Sequence, residues 1–255
     1  MKNLAILFFT AAVSYGISSC VKTPSTSVTP TPTPTSPSST PTPTVASVDG
    51  ALVSLRLDVT TVTAGIPISI TTESALASFY STTGGTTMID AGTVSVNSLS
   101  LEKQSSNSYY KTATIGMTPS TLSFSSGSSW SVSGAGSVPA FTYNNSADFP
   151  SFTGTVNDSI ITRSSGITVS LSGNVSNADS VILFIAAGST SVHKTVAGSA
   201  GSITLTASDL SGLPVVSNKS AFLEVIPYRV LLNTFGTKHY AFIKEYAFVK
   251  SVNVQ

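Results

Sequence analysis

Cysteine is almost absent from this sequence: Cys20 is the only one among 255 residues. A disulfide within the chain needs two cysteines, and a zinc site built from thiolates needs several, so both are excluded. The fold must therefore be stabilised by packing and hydrogen bonding, even in an oxidising compartment.

Charge is also scarce. Charged residues make up 9% of the chain, against about 25% in average globular proteins. Of the 12 Lys and Arg residues, Lys2 and Lys22 precede Ala46, which leaves 10 against 11 Asp and Glu in the rest of the chain. A nearly neutral chain without a basic run predicts no nucleic-acid partner. Ser and Thr must cover much of the surface, above Val, Ile, Leu and aromatic residues, and this composition favours β-structure.

Residues that carry chemistry are few. His193 and His239 are the only histidines, and they lie in polar stretches without the spacing of a zinc motif, so we expect both on the surface. No Gly-x-Ser-x-Gly motif marks a nucleophilic serine. Gly188 and Gly198 precede no helix that could bind phosphate. The sequence thus predicts no cofactor, no metal and no catalytic residue.

The eleven acidic residues leave one enzymatic alternative open. Glycosidases use two carboxyl groups about 5–10 Å apart, a distance that a sequence does not show. Most of the acids have a simpler interpretation: Asp49-Gly50 and Asp148 are typical of turns, and Asp209 is typical of a cap that starts a helix. A glycan-active hydrolase therefore stays an alternative to the non-enzymatic function predicted below.

The first twenty residues have the pattern of an exported protein. Lys2 is followed by an apolar run from Leu4 to Val13 and by small residues before Cys20. The run is shorter than the ~20 residues that span a bilayer. These features predict a secretory signal peptide over residues 1–19.

The segment Ile17-Ser18-Ser19-Cys20 resembles the lipobox of bacterial lipoproteins, in which an aliphatic residue and two small residues precede an obligatory cysteine. The resemblance implies cleavage between Ser19 and Cys20, diacylglycerol on the Cys20 sulfur and an acyl chain on the new amine. Lipid on Cys20 would make the membrane a partner of this protein. By the same resemblance, Val21 favours the outer membrane of a Gram-negative bacterium, on either its periplasmic or its surface face. A soluble secreted protein is the alternative.

Residues 20–45 are predicted to form a lipidated, disordered stalk. From Thr23 to Thr44 the chain is Pro, Thr and Ser throughout except for Val28, and proline both fixes φ and removes backbone donors. Such a segment favours extended polyproline II, which at ~3.1 Å per residue would reach up to roughly 70 Å. We expect a spacer from the membrane, with or without glycosylation of its hydroxyl groups.

From Ala46 onward the apolar residues recur with period two, which predicts β-strands. Two stretches show it best, one near the start and one at the end of this region: Leu52, Ser54, Arg56 and Asp58 alternating with Val53, Leu55 and Leu57, and a long last strand with Tyr240, Phe242, Lys244, Tyr246, Phe248 and Lys250 on one face. Asn97-Ser98 predicts a hairpin and Gly84-Gly85 a turn. The apolar run 181–185 predicts a central strand covered on both faces, and 207–214 predicts one helical turn.

Short strands at intervals of roughly 8–12 residues predict an all-β fold of antiparallel β-sandwiches. The order strand, one-turn helix, strand around Asp209 resembles the crossing between sheets in immunoglobulin-like and fibronectin-like modules. This is a resemblance of architecture and implies no ligand. We expect two sandwiches in tandem, 46–149 and 150–255, and one large sandwich over 46–255 is the alternative.

Together these observations predict a non-enzymatic, lipid-anchored protein of the cell envelope. Its β-sandwich modules would bind another envelope protein, a polysaccharide or a host surface. An accessory carbohydrate-binding lipoprotein is an alternative, and it would need aromatic rings that face solvent together. Trp130 and Tyr240 are candidates for such ligand-facing aromatics, while core packing is the expected place of both in a fold without disulfides.

Overall fold

The structure is a computed structural model that describes residues 47–63, 66–113, 122–125, 127–156 and 159–255. The predicted signal peptide (1–19), the lipidation at Cys20 and the stalk (20–45) lie outside the described residues. From Gly50 to Val254 the described chain consists mainly of β-strands and their connections, as the sequence predicts.

The elements of the described residues follow the chain in this order: β1 (Gly50–Thr63), β2 (Ile66–Phe79), β3 (Val94–Val96), β4 (Leu99–Ser100), β5 (Glu102–Lys103), β6 (Tyr109–Thr112), β7 (Ser128–Val132), β8 (Phe141–Asn145), β9 (Ser151–Phe152), β10 (Ile160–Ile161), β11 (Ile167–Ser170), β12 (Val175–Ser176), β13 (Ser180–Ala187), β14 (Thr190–Ala197), β15 (Ser202–Leu205), α1 (Ala207–Leu210), β16 (Val216–Phe235) and β17 (Lys238–Val254). Within this part of the chain, no helix has the length and apolar character needed to span a bilayer.

Nine strands form one large sheet, in the order β14-β13-β16-β17-β1-β2-β6-β5, with β10 beside the end of β17. Most neighbours are antiparallel, but β1 and β17 run parallel, from Gly50 beside Tyr240 to Thr60 beside Lys250. The all-β class is confirmed. The expectation of purely antiparallel pairing is corrected, because the first and last long strands are neighbours that run in the same direction. The smaller sheets are β4-β3-β7-β8, β11-β15 and β12-β9.

One face of the large sheet, called here the front face, packs against the smaller sheets and carries two apolar cores. The first core joins Leu52 of β1 and Phe242 of β17 to the four-stranded sheet, where it contains Trp130. The second core joins Leu183 of β13 to the pairs β11–β15 and β9–β12, and it includes Leu210 of α1. Burial of these side chains removes apolar surface from water and stabilises the packed layers.

The opposite face, called here the back face, is apolar as well. Val53, Phe184, Ile226 and Ile243 alternate with front-face residues along their strands, and each is 3% exposed or less. Strand β13 is therefore buried on both faces, as the apolar run 181–185 predicts. It is the second strand from the sheet edge rather than a central one.

Several local predictions are confirmed. Asn97 and Ser98 connect β3 to β4 with positive φ angles of 48° and 66°, as a type I′ hairpin requires. The Gly84-Gly85 turn closes with a bridge between Tyr80 and Met88.

The helical turn at α1 is confirmed with one correction. Thr206 is the N-cap, and its Oγ1 accepts a hydrogen bond from the Asp209 amide at 3.3 Å. The Asp209 carboxylate accepts in return from the Thr206 amide at 2.8 Å. Asp209 is thus the third helical residue of a capping box rather than the cap itself.

The large sheet crosses the division expected between 46–149 and 150–255. β1 and β2 belong to the first range and are joined to β17 of the second through the β1–β17 pairing. β17 has 17 residues and contributes Phe242 to the first core and Val252 to the second. A strand of this length is far longer than the usual five or six residues, and it lets both cores share one continuous sheet.

Candidate functional site

Between its two cores, the front face changes from apolar to polar. On β1, Leu52 is followed on the same face by Ser54, Arg56 and Asp58. Register brings Arg56 opposite Glu73 of β2 on one side and opposite Tyr246 of β17 on the other. We call the resulting set of side chains the polar belt: Arg56, Asp58, Glu73, Lys244 and Tyr246.

An open cleft of about 590 Å³ lies over the belt. Its floor is made by side chains of the central strands β1, β2 and β17, and its wall by the connection between β8 and the second core. The lining residues are Arg56, Asp58, Thr71, Glu73 and Tyr246 on the floor, and residues 149–153 on the wall. A concave site at the junction of two packed regions is a common place for a ligand.

Arg56 and Glu73 form the central ion pair of the belt. Nε and Nη2 of Arg56 donate to the same carboxylate oxygen, Oε1 of Glu73, at 3.0 Å and 2.8 Å. The second oxygen of Glu73 accepts from the Phe124 amide at 2.8 Å. The side chains of Arg56 and Glu73 are 29% and 12% exposed. Both oxygens of Glu73 are therefore engaged, while Nη1 of Arg56 has no acceptor among the described residues.

Asp58 and Tyr246 form a second pair beside the first. The Tyr246 hydroxyl donates to Oδ2 of Asp58 at 2.8 Å. Burial raises the pKa of Tyr246, and the neighbouring Asp58 carboxylate raises it further, so the phenol stays neutral. The other carboxylate oxygen, Oδ1 of Asp58, is shielded from solvent and has no donor among the described residues. Such an oxygen is costly to leave unpaired.

Phe149, on the wall of the cleft, contacts two cationic side chains. The Arg56 guanidinium carbon lies 4.8 Å and the Lys244 ammonium 5.0 Å from the centre of its ring, within the range of cation–π attraction. The ring also stacks on Phe124, with centroids 5.6 Å apart.

Lys244 is only 1% exposed, although its side chain ends in an ammonium group. Its ammonium donates to the carbonyl of Asn145 at 2.9 Å and to that of Ala147. Burial lowers the pKa of Lys244, against the opposing effect of Asp148, and Arg229 and Arg56 lower it further. The lysine thus ties the end of β8 to the middle of β17 and supports the cleft wall from beneath.

No protein-family model, curated protein or solved structure matches this chain. The functional argument therefore rests on the geometry of the site.

The sequence-predicted aromatic candidates do not reach the cleft. Trp130 and Tyr240 are each 1% exposed and lie in the first core. Tyr240 packs edge-on against Phe79 at 5.9 Å and tilted against Phe141 at 4.8 Å. Neither ring offers a face to solvent in this structure, because both side chains point into the first core between the large sheet and the four-stranded sheet. Cys20 lies outside the described residues.

The two histidines are exposed, His193 on β14 and His239 on β17. Across the described residues, no three or more His, Cys, Asp or Glu side chains are grouped in a way that could hold a metal ion.

The sequence pattern alone does not mark the belt as a site. Arg56 and Asp58, like Lys244 and Tyr246, occupy alternate positions of their strands next to apolar ones. A charged residue on a face that is otherwise apolar is the signal that could have identified it. Its partner Glu73 could not be assigned, because the register between strands is absent from the sequence pattern.

Proposed function

We propose that this chain is a lipid-anchored protein of the cell envelope that binds a ligand in the front-face cleft and does not act as an enzyme. The lipobox resemblance at 17–20 supports the anchor. The Pro, Thr and Ser composition of 20–45 supports a stalk that presents the β-structured region. Val21 supports an outer-membrane location by the same resemblance.

The observation that carries the proposal is the polar belt itself. Ion pairs that are withdrawn from water add little to stability, and well-packed apolar side chains often replace them without loss. Along β17 the front face is apolar on either side of the belt, with Phe242 before Lys244 and Phe248 after Tyr246, so apolar residues at these two positions would continue the cores. The stability of the fold does not require charged groups that interrupt a core and line an open cleft. Recognition of a ligand in the cleft does require such groups.

Glycan hydrolysis is the second candidate, favoured by two carboxylates in one cleft. Asp58 and Glu73 are diagonal neighbours on paired strands, a position where side chains are about 7–8 Å apart, within the range used by glycosidases. Both oxygens of Glu73 are already bound, however, by Arg56 and the Phe124 amide. Neither oxygen is free to exchange a proton with a substrate, and the arrangement therefore supports binding better than hydrolysis.

The architecture is part of the proposal. The sequence predicts two immunoglobulin-like sandwiches in tandem, and two cores with separate small sheets support a two-lobed organisation. We propose that the lobes share the long strands β1, β16 and β17, and that the cleft between the cores exists because they do.

The test is photo-crosslinking in the cells that produce the protein. A benzophenone amino acid at Thr153, an exposed residue that lines the cleft, should give a crosslinked adduct. The same group at Thr155, which is exposed but is not among the lining residues, is the matched control. Membrane-bound, folded protein that gives no adduct from Thr153 would contradict binding in the cleft.

The anchor is tested separately. A Cys20→Ala form should leave the membrane fraction after a salt wash. If it stays there, lipid on this residue is not what holds the protein.

A further inference from the structure

We propose that the ligand of the front-face cleft is a neutral saccharide, bound through its hydroxyl groups. This inference rests on the proposed binding function and names the chemical class that the cleft recognises.

The first argument is the pairing of a free donor with a free acceptor. Nη1 of Arg56 donates to no described residue, and Oδ1 of Asp58 accepts from none. A hydroxyl group is both a donor and an acceptor, so neighbouring hydroxyls of a sugar ring can satisfy both side chains together. The torsion that orients a carboxylate is broad, and a small rotation of Asp58 presents its shielded oxygen to the cleft.

The second argument is the balance of charge. Arg56 is paired with Glu73, and the two remaining charged side chains of the belt, Asp58 and Lys244, are of opposite sign, so the belt as a whole carries no net charge. A cationic ligand would approach a guanidinium, and an anionic ligand would approach two carboxylates. A neutral ligand with many hydroxyl groups meets neither repulsion.

The third argument concerns the backbone. The floor strands β1 and β17 are interior strands with a neighbour on each side, and β2 is paired with β1 and β6. The backbone donors and acceptors of β1 and β17 are used within the sheet, so an extended peptide cannot add to these two strands as it does at a free edge. Strand β2 pairs with β6 only from Ser74 to Ala77. What β1 and β17 offer to the cleft is therefore side chains, and the lining also includes the exposed residues Thr71 on the floor and Thr153 on the wall.

The fourth argument is the apolar part of the lining. Phe149 and Phe152 form the wall beside the belt, and the Tyr246 ring contributes to the floor. Apolar side chains with a few convergent polar groups are the usual composition of a small-molecule site. The C–H face of a sugar can lie against such a wall while its hydroxyl groups reach Arg56 and Asp58.

The experiment is a glycan array that carries neutral, anionic and cationic saccharides. It is probed with the full chain in detergent. We expect binding to neutral saccharides. Asp58→Asn should weaken it roughly ten- to hundredfold, because a hydrogen bond to a charged group is lost. Thr153→Trp should abolish it by filling the cleft from an exposed position, which leaves the cores intact. Thr155→Trp, equally exposed and outside the cleft, should bind like the unaltered chain.

Three results would overturn the inference: binding to charged saccharides only, binding that Thr153→Trp leaves unchanged, and no saccharide binding. The chemical nature of the crosslinked adduct shows whether only the saccharide inference fails or whether ligand binding in the cleft fails as well. An adduct from Thr153 that periodate destroys supports a saccharide, since periodate cleaves vicinal diols. If the adduct resists periodate and yields peptides of a second protein, the cleft binds a ligand but that ligand is not a saccharide. Absence of any adduct rejects both.

Discussion

A buried carboxyl group on the back face makes the stability of this protein depend on pH. Glu245 of β17 is 4% exposed, and Glu224 of the neighbouring strand β16 is 5% exposed. Burial raises the pKa of Glu245 to about 8, and the charge of Glu224 adds to the shift. Ala247, the next residue of β17 on the same face, is buried and belongs to an apolar cluster, and burial favours the neutral form of Glu245 in the folded state.

The direction of the effect follows from linkage. Folding raises the pKa of Glu245 from 4.5 to about 8, so between these values the native state binds more protons than the unfolded state. The stability contributed by the neutral carboxyl is complete below about pH 4.5 and is lost as the pH rises through about 8. At about 1.4 kcal/mol for each pKa unit, the loss is on the order of 3–5 kcal/mol.

The assay is denaturant unfolding of the full chain at about pH 5, pH 7 and pH 9. We expect the free energy of unfolding to fall over this range by a few kcal/mol. Glu245→Gln keeps the shape of the side chain and cannot ionise, so its stability should be nearly flat and should exceed that of the unaltered chain at about pH 9. Glu102→Gln is the control, since the Glu102 side chain is 74% exposed.

Glu224→Gln should show an intermediate slope, because it removes the second cause of the shift and leaves the burial. Asp90, whose pKa the ammonium of Lys103 lowers to about 2, titrates below the range of the assay. The reasoning would be refuted if Glu245→Gln kept the pH dependence of the unaltered chain, or if stability rose with pH across this window.

Three further substitutions test the packing, the polar contacts and the turns. Trp130→Ala should destabilise the chain by about 3–5 kcal/mol, because it empties the middle of the first core; a loss below 1 kcal/mol would contradict the burial. Asp49→Asn should cost about 1–3 kcal/mol, since its carboxylate accepts from Lys238, Thr83 and the His239 amide, and an unchanged denaturation midpoint would show that these bonds contribute nothing. Ser98→Gly should raise the melting temperature through a gain of up to about 1 kcal/mol, because glycine adopts the positive φ of this turn without strain; a lowered melting temperature would argue against the type I′ turn.

Local elements were well predicted because their causes are local. Asn97-Ser98 forms its hairpin through the φ angles that the two residues themselves adopt, and the capping box of α1 involves residues only three positions apart. The long strand at the end of the chain was recognisable because side chains of a strand alternate between faces whatever they pair with. Burial of residues 181–185 on both faces of the sheet could also be predicted from the sequence, since an unbroken apolar run has no polar face to expose.

The candidate site could not be assembled in the same way. Arg56 meets Glu73 across an antiparallel pair and Tyr246 across a parallel one, and the second contact joins residues 190 positions apart. A shift of one residue in either register would turn the belt to the other face of the sheet. Trp130 and Tyr240, the aromatics that composition made conspicuous, are core residues, whereas Phe149 becomes part of a site only because Arg56 and Lys244 lie against its ring.

The sequence by itself determined the all-β class, the Asn97-Ser98 hairpin, the Gly84-Gly85 turn and the alternation of the long strands, because φ preferences and period-two patterns act within a few residues. The pairing of β1 with β17 was decided only by the tertiary structure. It depends on burial of two cores against one shared sheet, a free energy that belongs to residues far apart in the chain. The cleft and its polar belt follow from that pairing.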